Sequence, residues 1–150
     1  MENTFQLDII SLTRPAFSGK VESVTVPGSE GEMTVLKNHI PLITPLASGE
    51  VVIRQGKEVT HMAISRGFLI VEKDKATLMV DSAERLEELD EVKIRQAKVY
   101  AEKLLTENKF KDDREFADAT AALEKSIAHL QVLKRHRSRH KGSLPSSDSM

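Results

Sequence analysis

The chain contains no cysteine, which excludes disulfides, thiolate metal sites and cysteine nucleophiles. It has no tryptophan, one tyrosine and five phenylalanines, so any core must rest on Val, Ile, Leu and Ala. Long apolar runs are missing as well. Phe68 to Val71 and Leu78 to Val80 are far too short to cross a bilayer. The opening Met-Glu-Asn-Thr-Phe lacks both the basic start and apolar stretch of a signal peptide and the Arg- and Ser-rich character of a transit peptide. The expected compartment is therefore cytosolic, bacterial or plastid. Glycine and proline disappear between Asp81 and Lys134. Nor does one sign of charge dominate: the formal net charge is −1 over 150 residues. That figure hides a split, with 9 basic and 13 acidic residues in 1–88 (net −4) and 13 and 10 in 89–150 (net +3). Such asymmetry points to two parts with different partners.

What is present divides the same way. Phe5, Leu7 and Ile9 alternate with polar residues, as a half-buried strand requires. Val24 and Val26 repeat the pattern and stop at Pro27-Gly28. Further short apolar runs are Met33 to Leu36, Val51 to Ile53, His61 to Ile64, Phe68 to Val71 and Ala76 to Val80, with Gly31, Pro41, Pro45, Gly49, Gly56 and Gly67 read as breakers. Val71 to Ala76 reads as a hairpin with a polar tip. Many short strands with turn signals predict an antiparallel sandwich or barrel over 1–88.

Beyond it, residues rich in Ala, Glu, Lys, Leu and Arg favour helix. Ile94, Ala97, Ala101 and Leu104 form one stripe at helical spacing, and Phe116, Thr120, Leu123, Ile127 and Leu130 a second. Between them Thr106 to Asp113 is polar, and Asp112 with Glu115 resembles a capping box. The fold class is thus an N-terminal β sandwich followed by an antiparallel α-helical hairpin over 89–138, with a disordered tail over 139–150 that includes the aperiodic stretch from Gly142 to Met150. Each stripe is narrow, so the hairpin needs a second surface: the sandwich or a partner.

No catalytic constellation emerges. His39, His61, His129, His136 and His140 show no metal-ligand spacing on one predicted face, and structural or solvated roles are expected for all five. The acidic turn Ser29-Glu30-Gly31-Glu32 lacks the glycines and lysine of a phosphate loop and its acids would repel phosphate. The run Lys134-Arg135-His136-Arg137-Ser138-Arg139-His140-Lys141 is the sharpest charge feature. A solvated helix end, an acidic protein partner and nucleic acid are its three readings, and the lack of interleaved aromatics disfavours the last.

The ordered motifs resemble the ε subunits of F-type ATP synthases from residue 4 to about 133. Phe5-Gln-Leu-Asp-Ile-Ile-Ser looks like that family's first strand, and Phe17-Ser-Gly-Lys-Val-Glu-Ser-Val its F-x-G-x-V-x-x-V segment. Val26-Pro27-Gly28-Ser29-Glu30-Gly31-Glu32, then His39-Ile40-Pro41-Leu42 to Leu46 and Gly49, is similar to its most specific signature. Gly67 to Val71 and Asp81 to Glu84 resemble its last strands, and Leu89-Asp90-Glu91 the start of its first helix.

The resemblance implies a non-catalytic central-stalk subunit without cofactor or metal, coupling proton-driven rotation to ATP synthesis and inhibiting ATP hydrolysis through its helices. Its implied partners are the γ subunit, the c-ring and the α/β catalytic head, with no nucleic acid. Its implied place is peripheral, on the cytoplasmic face of the inner membrane or the stromal thylakoid surface. Ser29, Glu30, Gly31, Glu32, His39 and Thr44 fall where ring and γ contacts lie in the family. Lys134, Arg135, Arg137, Arg139 and Lys141 would meet the catalytic head when the hairpin extends. Some members bind ATP through an I/L-D-x-x-R-A motif, which the resemblance sets against Arg114 to Ala119. There Glu115 stands for the Asp and Asp118 for the Arg, reversing the charge toward phosphate. Arg95 and Lys125 are the residues left for a nucleotide. A free-standing adaptor or chaperone using the hairpin as a clamp is the alternative reading.

Overall fold

The computed structural model describes residues 3–143, with side chains from 3 to 138. Ten strands come first: β1 (Phe5–Ser11), β2 (Pro15–Val21), β3 (Ser23–Gly28), β4 (Gly31–Leu36), β5 (Leu42–Leu46), β6 (Gly49–Gln55), β7 (Glu58–Ile64), β8 (Gly67–Glu72), β9 (Lys75–Val80) and β10 (Ala83–Arg85). A short 3-10 turn (Leu86–Glu88) leads to helices α1 (Glu91–Glu107) and α2 (Asp113–Ser143). The strands form one ladder in the order β10-β7-β6-β3-β5-β8-β9-β1-β2, with β4 paired to β3. All pairings are antiparallel except β1 with β9.

Leu7 and Ile9 of β1, Val24 of β3, Ile53 of β6 and Leu78 of β9 all belong to one core, so the ladder folds over on itself. The alternation in the sequence made that core: Phe5, Leu7 and Ile9 are buried and the residues between them are not.

Two breakers sit inside strands for identifiable reasons. Pro45 lies within β5, which meets β3 only at Leu46 opposite Gly28, so the missing N–H costs no ladder bond on that side. Gly67 opens β8 because a Cβ there would stand 2.0 Å from the Met79 carbonyl oxygen, and only glycine allows so close an approach.

Asp90 caps α1, its carboxylate accepting from the N–H groups of Val92 and Lys93. Asn108 ends that helix in the left-handed region at φ 51°. Asp112 accepts from the Glu115 N–H at 2.9 Å, while the Glu115 carboxylate reaches the Lys111 N–H rather than completing a box with Asp112. Phe110 packs edge-on against Phe116, centroids 5.5 Å apart, and fixes the connection.

The buried helical residues differ from the expected stripes. Ile94 and Ala101 are buried, but Ala97, Phe116 and Ile127 are exposed, and α2 instead buries Ala119, Ser126, Ala128, His129 and Val132. The cause is that α2 has two covered sides, one on α1 and one on β6 and β7. Small and polar residues make the second side, and a count of large apolar residues passes over them. The helix continues past residue 138 to Ser143, and the tail from residue 144 lies outside the described residues.

Every core member lies between Phe5 and Ala83. A fragment of residues 1–88 is therefore expected to unfold cooperatively on heating, with β-type circular dichroism. A molten or aggregated fragment would show that α2 is part of the core.

Candidate functional site

The β3–β4 turn carries Ser29, Glu30, Gly31 and Glu32, all exposed. Two bonds fix it: the Ser29 N–H donates to the Pro45 carbonyl at 3.2 Å, and the Ala47 N–H to that of Pro27 at 2.8 Å. A rigid turn that offers two carboxylates suits a basic or polar partner surface. The structure does not bring His39 to this turn, whereas Thr44 directly precedes Pro45, the residue whose carbonyl accepts from Ser29. His39 follows β4 at the strand's far end, its Nδ1 2.8 Å from the Ile40 carbonyl oxygen, in a crevice with Phe5, Asp74 and Lys75. Thr44 is half-buried in β5, opposite Leu69.

A second surface is apolar. Ile10 pairs with Met79, Met79 with Phe68, and Phe68 with Pro45, so these four form one row across β1, β9, β8 and β5. Ile10, Met79 and Phe68 are 44%, 50% and 55% exposed, and Ile43 beside the row is 72% exposed. These residues leave an apolar row open on the outer face of the sheet. Sequence reasoning missed it, although a signal was present. The unbroken run Phe68 to Val71 is what a strand covered on both faces carries, whereas a strand wetted on one side alternates.

The basic run is partly engaged within the chain. Arg135 stands 3.9 Å from Glu32 and 3.7 Å from Glu50, and Arg137 pairs with Glu91. Lys134 is exposed, and the side chains of Arg139 and Lys141 lie outside those described. Arg95 bonds Glu91 at 2.9 Å and, with Lys98, Lys134 and Arg137, lines a groove of about 480 Å³ between the helices. The Arg95 hydrogen bond above all, and then Arg137, hold the Glu91 carboxyl below its ordinary range. Lys125 is on the other side of α2, paired with Glu84 at 3.4 Å. Arg95 and Lys125 thus belong to different faces and form no common site. Asp118 is exposed and does not line this groove.

Two of the histidines make contacts that spacing on one predicted face does not reveal. His61 Nδ1 lies 2.9 Å from the Glu50 carboxylate across the β6–β7 ladder, and the His136 ring meets His61 edge-on at 6.2 Å. Both couple residues far apart in sequence, which spacing rules do not see. His129 is buried on the sandwich side of α2. Among the described residues no group of three His, Cys, Asp or Glu is arranged to hold a metal ion. No helix among them is long and apolar enough to cross a membrane.

Residues 4–86 match the family model described as the ATP synthase, Delta/Epsilon chain, beta-sandwich domain. The ATP synthase epsilon chain of Dehalococcoides mccartyi is 37% identical over 132 residues, covering 88% of this chain and 94% of that one. The epsilon chain of Nitratidesulfovibrio vulgaris is also 37% identical over 132 residues, covering 88% and 97%. A chain in the cryo-EM structure of the Euglena gracilis mitochondrial ATP synthase shares the fold, with TM-score 0.70 and 24% identity over 89% of this chain and 83% of that one.

Proposed function

The chain belongs to the ATP synthase delta/epsilon-chain family, and on that premise we propose that it is a non-catalytic central-stalk subunit that couples rotation to ATP synthesis and restrains ATP hydrolysis. The observation that carries this reading is the exposed apolar row Ile10–Met79–Phe68–Pro45 on a sandwich that has no need of it for its own core. That row fits the γ subunit, the acidic turn fits polar loops of the c-ring, and the helices are the regulatory part that reaches the α/β head. The subunit acts as the soluble part of a membrane-bound complex, on the cytoplasmic face. A free-standing clamp is less well supported, because α2 closes on its own sandwich instead of leaving the hairpin open.

The test of the ring contact is Glu32→Lys. The Glu32 side chain is 62% exposed and its pair with Arg135 is long, so stability should change by no more than about 0.5–1 kcal/mol. Proton-driven ATP synthesis should nevertheless fall. Arg135→Gln removes the same ion pair from the other side and should leave synthesis intact. Full synthesis by Glu32→Lys would count against this turn as the ring contact.

A further inference from the structure

Of the four histidines with described side chains, three stand where α2 meets the sandwich: His61 on β7, and His129 and His136 on α2. His129 is 4% exposed, and its Nε2 has no hydrogen-bond partner. His136 packs edge-on against His61, which is bonded to the largely buried carboxylate of Glu50. Elsewhere along the contact, clefts of about 160, 210 and 350 Å³ open between α2 and the sandwich.

We propose that His129 forms an acid-released latch: neutral, it lets α2 lie on the sandwich, and protonated, it drives the hairpin off it. Consider the charges that face each ring. His129 faces Glu84 from β10 and Lys125 from its own helix, and Glu84 is already held by Lys125 at 3.4 Å. His136 faces His61 from β7, with Glu50 of β6 and Glu32 of β4 beyond it, both within 4 Å of Arg135. From α1 come Glu91, Arg95 and Lys98, and Glu91 is taken by Arg95 and Arg137. Glu84, Glu32, Glu50 and Glu91 therefore each have a cation already, and Asp81 and Glu124 line the neighbouring cleft together with Arg66 and Lys125. A proton on His129 would be a buried charge without a partner of its own, which is costly.

The direction in pH follows. Burial, the largest cause, holds the docked His129 below the ordinary value of 6.5, Glu84 opposes this, and Lys125 adds to it. Once released, the ring faces water and returns to that value. Between the lowered docked value and 6.5 the released form binds more protons, so docking is at full strength above 6.5 and weakens as pH falls through that window. The release constant then changes by up to about tenfold per pH unit for each proton taken up.

The chain's lack of cysteine makes the test direct. Fluorophores on cysteines introduced at Lys57 and Glu107 of the full-length isolated chain report docking by energy transfer. Transfer should stay constant above pH 7 and fall by pH 5.5, while β-type circular dichroism stays unchanged. His129→Leu, or His129→Gln if the leucine form fails to fold, should remain docked at pH 5.5. An unchanged acid profile in the His129 variant, or no release in the wild type, overturns the latch. Independently of any variant, NMR titration must place His129 below 6.5; a value at or above it also overturns the proposal. Because the isolated chain is used, neither result depends on the ring or γ assignments.

Discussion

Glutamate in place of Phe68 is expected to strip the chain from a γ subunit while leaving it folded. Phe68 stands at the middle of the apolar row, with Met79 on one side and Pro45 on the other, and projects from a sheet whose core it does not enter. Burying one such ring against a partner is worth about 1.5–3 kcal/mol, and a carboxylate forced into the same contact adds a desolvation cost. Central aromatic anchors commonly exceed 2 kcal/mol, so affinity should drop about thirtyfold or more. The folded chain should lose no more than about 0.5 kcal/mol, since the site is exposed. Leu69, one residue on, is fully buried on the inner face. Leu69→Glu should therefore abolish binding by unfolding the sandwich, and the two neighbours separate docking from stability. The measurements are titration calorimetry with purified γ subunit and a thermal melt of each variant. Undiminished affinity in Phe68→Glu would remove the row from the stalk contact.

How much of this was legible depends on what kind of signal each element leaves. Strands β1, β3 and β9 were readable because one face is wet and the other dry, which writes a period of two into the sequence. Strand β5 was not, because Pro45 reads as a breaker until the ladder shows that one side of the strand has almost no partner. The helices were readable from composition and from Asp90, Asp112 and Glu115 at their starts, but the docked face of α2 was not. Ala128, Ser126 and His129 carry little hydrophobic signal, and the Ser126 hydroxyl is satisfied within its own helix by the Ala122 carbonyl. The acidic turn was visible as a motif. Its neighbour Glu50 was not, since a buried acid looks like any other Glu until His61 and Arg135 are seen beside it. The apolar row falls between these cases. Phe68 and Met79 fell in runs read as strands, and only the register shows that they align with Ile10 and Pro45 on the outer face.

The same distinction divides the basic run, whose members should not act alike. Arg135 is engaged in the docked form by Glu32 and Glu50, and Arg137 by Glu91, whereas Lys134 makes no ion pair among the described residues. Arg135→Gln should loosen docking by about 1 kcal/mol, because the guanidinium is more than half exposed and its gain is screened. Loss of that contact shifts the hairpin about fivefold toward the released form, and inhibition of ATP hydrolysis should rise. Replacing Lys134, Arg139 and Lys141 with Gln leaves the docked pairs untouched and removes charge that the extended hairpin would bring to an acidic segment of the catalytic head. Inhibition should then fall. Both effects are electrostatic and near the surface, so both should fade as the screening length shrinks from about 10 Å at 0.1 M salt to about 3 Å at 1 M. The assay is ATPase activity of the reconstituted head with wild type, the single variant and the triple variant across a salt series. Opposite shifts that converge at high salt support a division of the run into a docking arginine and head-facing cations. Parallel shifts, or inhibition by the triple variant that matches wild type at every salt concentration, would return the run to a solvated helix end.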